Sequence, residues 1–283
     1  MKTLLSILKL MRVHQWLKNF FIFLPLIFSS EFLILSQDLK NILAFISFCF
    51  MASCVYILND IKDVEDDRKH DTKKNRPIAS GVISVNSAIL LAVVLFITAI
   101  TIGLLLNTSL LLILIVYFGL NILYTIYLKH LPVIDIVVLA FFYIIRVFAG
   151  GVVTGVEISS WLMLTTFFIA LFLGSGKRYV ELMKNGSAGR RVLESYNSDF
   201  LKYVLSLSSF STILFYALYT ITHGVYFEFS IVFVVLGFML YFYELYSGKI
   251  VDDPVSALIK SKRLLIFVTA WGTYMLIILV LKL

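Results

Sequence analysis

The chain has 283 residues, 60% of them hydrophobic and only 14% charged, with a formal net charge of +7 and a mean hydropathy of +0.97. A soluble domain carries about 45–50% apolar and about 25% charged residues, so the composition excludes a soluble fold and points to lipid as the solvent. It also turns the basic excess into a matter of membrane orientation, with no nucleic-acid partner expected.

The N-terminal run MKTLLSILKLMRVHQW has a short apolar stretch broken by Lys9 and no small-residue cleavage site. It reads as an interfacial segment over residues 1–18, an amphipathic helix lying on the membrane surface, and not as a signal peptide. Apolar stretches then predict nine transmembrane helices, near 19–36, 41–60, 86–106, 108–128, 133–153, 159–176, 203–223, 228–246 and 264–282. Only Asn107-Thr108-Ser109 separates the third from the fourth. With the N-terminus placed in the cytoplasm, 21 of the 24 basic residues fall on the inner side, leaving Lys40 and Lys282 outside and Arg146 within a span. The expectation is therefore one all-α integral membrane domain over 1–283, multi-pass in the cell (inner) membrane. Its two long cytoplasmic loops, 61–85 and 177–202, are where chemistry is sought.

Cys49 and Cys54 share one apolar run without metal-ligand or CxxC spacing, and read as small core residues. His14, His70, His130 and His223 show no ligand spacing either.

The segment 56–81, YILNDIKDVEDDRKHDTKKNRPIASG, is the most informative. On a helix at 100° per residue, Asp60, Asp63 and Asp67 fall within about 60° of one another, Asp71 joins them if the helix persists, and Asn59 can reach the same centre. Carboxylates on one stripe repel each other, and a hard divalent cation resolves the conflict. Mg²⁺ takes one or two carboxylates and completes its shell with water and substrate phosphate oxygens. Lys73, Lys74 and Arg76 follow and can meet the remaining phosphate charge. The competing reading is a solvated loop of mixed charge that obeys the positive-inside rule.

The run Asn59-Asp60-Ile61-Lys62-Asp63, with Asp67 four residues on and Arg76-Pro77 then Gly81 beyond, resembles the first aspartate-rich motif of the UbiA prenyltransferase superfamily. The resemblance implies nine helices around a central cavity, with Asp60, Asp63 and Asp67 holding Mg²⁺ (Mn²⁺ being the alternative) at its cytoplasmic mouth. RVHQWLKN, with Arg12 and Lys18, YTIYLKHLPVIDIVVLAFFYIIRVFAGG, GSGKRYVEL and RRVLESYNSDFL resemble one branch, the decaprenyl-phosphate phosphoribosyltransferases. These join phosphoribosyl diphosphate to a polyprenyl phosphate and release diphosphate.

The chain departs from most prenyl-transferring relatives in the loop between spans six and seven. There a basic stretch with Lys177, Arg178, Arg190 and Arg191, and Glu181 and Glu194 as its acids before Asp199, replaces a second aspartate-rich motif. Such a cluster suits bare phosphate, which favours the phosphoribosyl branch. Lys262-Arg263 also stands where an acidic-basic pair is expected. Within the spans, Asp135 and Arg146 lie eleven residues apart, on one helical face, with Tyr143 nearby. Charges at that depth line a cavity or pair with another helix. Tyr124 and Lys129 resemble the family's Tyr…Lys element, although Lys129 also fits a snorkelling residue.

The resemblance thus implies Mg²⁺-dependent phosphoribosyl transfer to a polyprenyl phosphate. Substrate contacts are expected from Lys18, Asn59, Lys73, Arg76, Tyr124, Lys129, Asp135, Tyr143, Arg146, Lys177, Arg178, Glu181, Arg190 and Arg191. The alternatives are prenyl transfer to an aromatic acceptor and, in another class, a secondary transporter using Asp135 and Arg146.

Overall fold

The computed structural model describes residues 2–29, 34–69, 73–185, 191–248 and 261–281. These form helices α1 (Lys2–Leu10), α2 (Leu24–Phe28), α3 (Leu35–Lys62), α4 (Val64–Lys69), α5 (Val85–Leu106), α6 (Thr108–Ile126), α7 (Ile134–Thr154), α8 (Ser160–Asn185), α9 (Ser198–Ile221), α10 (Val225–Tyr246) and α11 (Lys262–Leu281). Eight of them, α3 and α5 to α11, are long and apolar enough to cross a bilayer. The expected first span takes another form: a 3₁₀ segment, Val13–Phe23, runs into the five-residue α2. Pro25 sits in the first turn of α2, where its missing N–H breaks no ladder.

The division between the third and fourth predicted spans is real. Asn107 leaves the helix at φ −167°, and its Oδ1 accepts the Ser109 N–H at 2.7 Å to open α6. Both expected loops shrink. α8 continues to Asn185, so Lys177, Arg178 and Glu181 stand on a helix instead of a loop. The residues there are good helix formers, and Arg178 pairs with Glu181 one turn on. The 61–85 segment likewise contains α4, a 3₁₀ turn at Lys73–Asn75, and the start of α5, where Ser84 Oγ accepts the Ser87 N–H.

The chain divides into two compact units. The first comprises Met1–Ile126 and Ile145–Glu157, the second Tyr127–Ile144 and Ile158–Leu283. In the first, Leu10, Cys54, Ile57, Ile78, Ala88, Ala92 and Leu95 form one core, which binds α1 and the 76–81 turn to α3 and α5. Cys49 and Cys54 are buried free thiols, as read from the sequence. α1 exposes Leu4, Leu5 and Leu8 while burying Leu10, the pattern of a helix with one face for lipid. Gly150 of α7 lets that helix meet the 3₁₀ segment closely, since a Cβ there would lie 1.9 Å from the Ile22 carbonyl oxygen. In the second unit, the core joins Ile136, Phe172, Tyr179, Val192, Leu193, Leu201, Tyr241 and Leu264.

Candidate active site

In the first unit the acidic motif is arranged differently from a single helical stripe. α3 ends at Lys62, and Asp63 is its C-cap, at φ −93° and ψ 10°. The Asp63 N–H donates to Asn59 O at 3.0 Å, and its own carbonyl accepts the Asp67 N–H at 2.8 Å, so hydrogen bonds span the junction between α3 and α4. Asp60 and Asp67 are both buried, each 3% exposed. Two arginines meet them. Arg76 Nη1 donates to Asp60 Oδ1 at 3.1 Å and to Asp67 Oδ2 at 2.5 Å. Arg12 Nη2 donates to the same Asp60 Oδ1 at 2.5 Å, and its guanidinium lies 4.9 Å from the centre of the Tyr56 ring.

Local structure delivers both arginines. Arg12 adopts a left-handed conformation, φ 50° and ψ 48°, at the start of the 3₁₀ segment. That conformation is uncommon outside glycine and needs support from its surroundings. Trp16 Nε1 donates to Ser53 Oγ, which donates to Met11 O at 2.8 Å, pinning the turn to α3. Lys9 Nζ reaches Asn75 O at 3.2 Å. Arg76 closes the Lys73–Asn75 turn and accepts from Ser80 at its carbonyl. Gly81, at φ 74°, lets the chain turn toward α5.

Asp63 is half-buried and does not join Asp60 and Asp67 in a triad; no group of three or more His, Cys, Asp or Glu among the described residues is arranged to hold a metal. Asp71 and Arg190 lie outside the described residues, and of Arg191 only the backbone is described, at the head of a 3₁₀ turn. The donor set still fits Mg²⁺. The carboxylates of Asp60 and Asp67 converge on one guanidinium nitrogen, and Mg²⁺ asks for one or two carboxylates plus water and phosphate oxygens.

Arg146, 4% exposed, belongs to a separate buried cluster of this unit. Its Nε donates to Asn19 Oδ1 at 2.7 Å and its Nη2 to Tyr117 OH at 3.0 Å, while Asn19 Nδ2 reaches Cys49 Sγ. Asn59 and Lys18 are half-buried, Lys73 is exposed, and Tyr124 is half-buried near the end of α6.

In the second unit Asp135 and Arg178 pair with both side chains 0% exposed. Arg178 Nε donates to Asp135 Oδ2 at 2.6 Å, and its Nη1 to Glu181 Oε2 at 2.8 Å. Tyr196 OH donates to Asp135 Oδ1 and accepts the Val133 N–H at 2.6 Å. Val133 itself is at φ 68°. Burial first, and then the bond to Asp135, push the Tyr196 phenol above its ordinary range. Tyr143 is buried, and Lys129 and Lys177 are half-buried.

Arg12, Asn19, Tyr117 and Tyr196 are site-building residues for which sequence patterning gave no partner. Arg12 and Asn19 lie within RVHQWLKN and Tyr196 within RRVLESYN. Their partners are 29 to 127 residues away.

The sequence model of the UbiA prenyltransferase family matches residues 22–261. The chain belongs to that family. It is 36% identical over 224 residues to the decaprenyl-phosphate phosphoribosyltransferase of Mycobacterium tuberculosis strain H37Rv, covering 77% of this chain and 74% of that one. It is 32% identical over 292 residues to the protein of the same name from Mycolicibacterium smegmatis, covering 95% and 91%. Its fold is similar to that of a UbiA homologue from Archaeoglobus fulgidus bound to GPP and Mg²⁺, with a TM-score of 0.71 at 18% identity over 97% of each chain. The apolar helices and this family make it a multi-pass membrane protein.

Proposed function

We propose that this protein transfers the phosphoribosyl group of 5-phosphoribosyl 1-diphosphate to a polyprenyl phosphate, releasing diphosphate, at the cytoplasmic face of the cell membrane. The observation that carries the chemistry is the convergence of buried Asp60 and Asp67 on one nitrogen of Arg76. The named relatives, matched over most of the chain, support the donor and acceptor.

Attack of a phosphate oxygen of the lipid on ribose C1 forms one C–O bond while the bond from C1 to diphosphate breaks. The acceptor is already an anion at neutral pH and needs little general-base help. Negative charge gathers on the departing diphosphate. A divalent cation held by Asp60 and Asp67 supplies neutralisation of that charge when bound. Arg12 and Arg76 bind diphosphate oxygens beside it, with Asn59, Lys18 and Lys73 as further polar contacts in the first unit. In this reading Asp63 orders the α3–α4 junction and reaches the site through water.

In the second unit Lys129, Lys177 and Arg191 meet phosphate, whereas Arg178, Asp135, Glu181 and Tyr196 brace the backbone that carries them. Arg146, Asn19 and Tyr117 fix α7 against the 3₁₀ segment, while Tyr124 and Tyr143 contact the substrates.

The test is the full-length protein in lipid nanodiscs with ribose-labelled phosphoribosyl diphosphate and polyprenyl phosphate. Label should pass to a lipid-extractable product. Prenyl transfer is the second reading, favoured by the GPP-bound fold relative. It replaces the first if the phosphoribosyl donor gives nothing and label moves from a prenyl diphosphate to an aromatic acceptor.

A further inference from the structure

Asp60 and Asp67 already hold two cationic side chains. Three short contacts link two carboxylates to two guanidinium groups, all with little exposure: 4% for each carboxylate side chain, 24% for Arg12 and 27% for Arg76. These four side chains together carry no net charge. Adding a divalent cation alone would leave a surplus of two positive charges in a shielded place, where charges interact more strongly than in water. A diphosphate arriving with the cation removes that surplus. It also offers the guanidinium groups a second set of oxygens with the geometry they favour.

We propose that Arg12 and Arg76 are exchange partners that couple metal binding to diphosphate binding. Each occupies the carboxylates until the cation and the diphosphate arrive together, and each then transfers its hydrogen bonds from carboxylate to diphosphate oxygen. Arg12 is positioned for this by its left-handed backbone, which is held by contacts of Trp16, Ser53 and Met11 and does not depend on the Asp60 contact alone. The inference rests on Asp60 and Asp67 as metal ligands, and it adds that the site discriminates against free metal. Linkage makes the coupling reciprocal: the factor by which diphosphate tightens metal binding is the factor by which metal tightens diphosphate binding.

Equilibrium dialysis of the purified full chain tests this. Mn²⁺ and inorganic diphosphate are labelled separately, and their complex in solution is corrected for. In the wild type, diphosphate should tighten Mn²⁺ binding by about tenfold or more. Arg12→Gln should bind Mn²⁺ alone severalfold more tightly than wild type and lose most of the coupling, and Arg12→Lys should restore part of it. A purely structural Arg12 would give the opposite sign, weaker Mn²⁺ binding in Arg12→Gln, and that result overturns the exchange. Equal Mn²⁺ affinity with and without diphosphate in the wild type overturns it without any substitution and leaves the metal ligands standing. No Mn²⁺ binding under either condition overturns both the exchange and the metal reading.

Discussion

Arg178 Nε lies 2.6 Å from Asp135 Oδ2, and neither side chain has any exposed surface. A guanidinium so enclosed is committed to its carboxylate. Removing one partner of a buried ion pair leaves an uncompensated charge and costs about 3–5 kcal/mol. Arg178→Met should therefore lower the thermal unfolding midpoint of the detergent-solubilised protein by several degrees. Lys177→Met, one residue away and half-buried, should lower the midpoint less than Arg178→Met does and raise the KM for the phosphate donor. If the two variants exchange these phenotypes, Arg178 is the phosphate ligand and Lys177 the brace.

Asp60→Asn and Asp67→Asn each remove a charge that Arg76 now contacts. Loss of a preorganised charged group at a reacting diphosphate costs about 100-fold or more in rate. Turnover should fall by that order in both, with helical circular dichroism retained. Asp63→Asn, at the helix junction, should keep more activity than either. Full activity in purified Asp60→Asn would end the assignment of the site.

Tyr196 bridges two segments through one hydroxyl, donating to Asp135 and accepting from the Val133 N–H. Tyr196→Phe takes the acceptor from the Val133 N–H and the donor from Asp135 Oδ1, although Arg178 still holds Asp135 Oδ2, and leaving such a group unmatched costs about 1–3 kcal/mol. The phenol is raised above its ordinary value by burial and by Asp135. Its contribution is thus fully present below the unfolded tyrosine value of about 10 and is lost as pH rises through the folded value. The stability difference between wild type and Tyr196→Phe should be constant from neutral pH to about pH 10 and shrink above it. Chemical denaturation at a series of pH values measures this.

Gly150→Ala places a methyl group 1.9 Å from the Ile22 carbonyl oxygen, a backbone atom with no rotamer to yield. Overpacking of this kind costs about 1–3 kcal/mol. The variant should unfold earlier in a thermal scan, whereas Gly119→Ala, where a Cβ meets nothing within 4 Å, should behave as wild type.

Composition and hydropathy alone established a helical membrane protein, because twenty-residue apolar stretches have no other stable home than lipid. The break at Asn107, the buried cysteines and the acidic motif beginning at Asn59 were legible for the same reason: they are local patterns, set by residues a few positions apart. The first span was not, since a 3₁₀ segment with a buried Asn19 and an early Pro25 has the composition of a span without its helical form. Nor was the end of α8, where charged residues suggested a loop but made good helix.

Partnership was decided only by tertiary structure. Asp60, Asp63 and Asp67 share a face on paper. The chain instead ends α3 before Asp63, buries Asp60 and Asp67 while leaving Asp63 half-buried, and brings Arg12 from 48 positions away onto Asp60. Asp135 and Arg146 share a face on paper as well, yet the first is held by Arg178 and Tyr196 and the second by Asn19 and Tyr117. Helical periodicity says which way a side chain starts out. Which opposite charge neutralises it depends on contacts between segments far apart in sequence, and no local pattern encodes those.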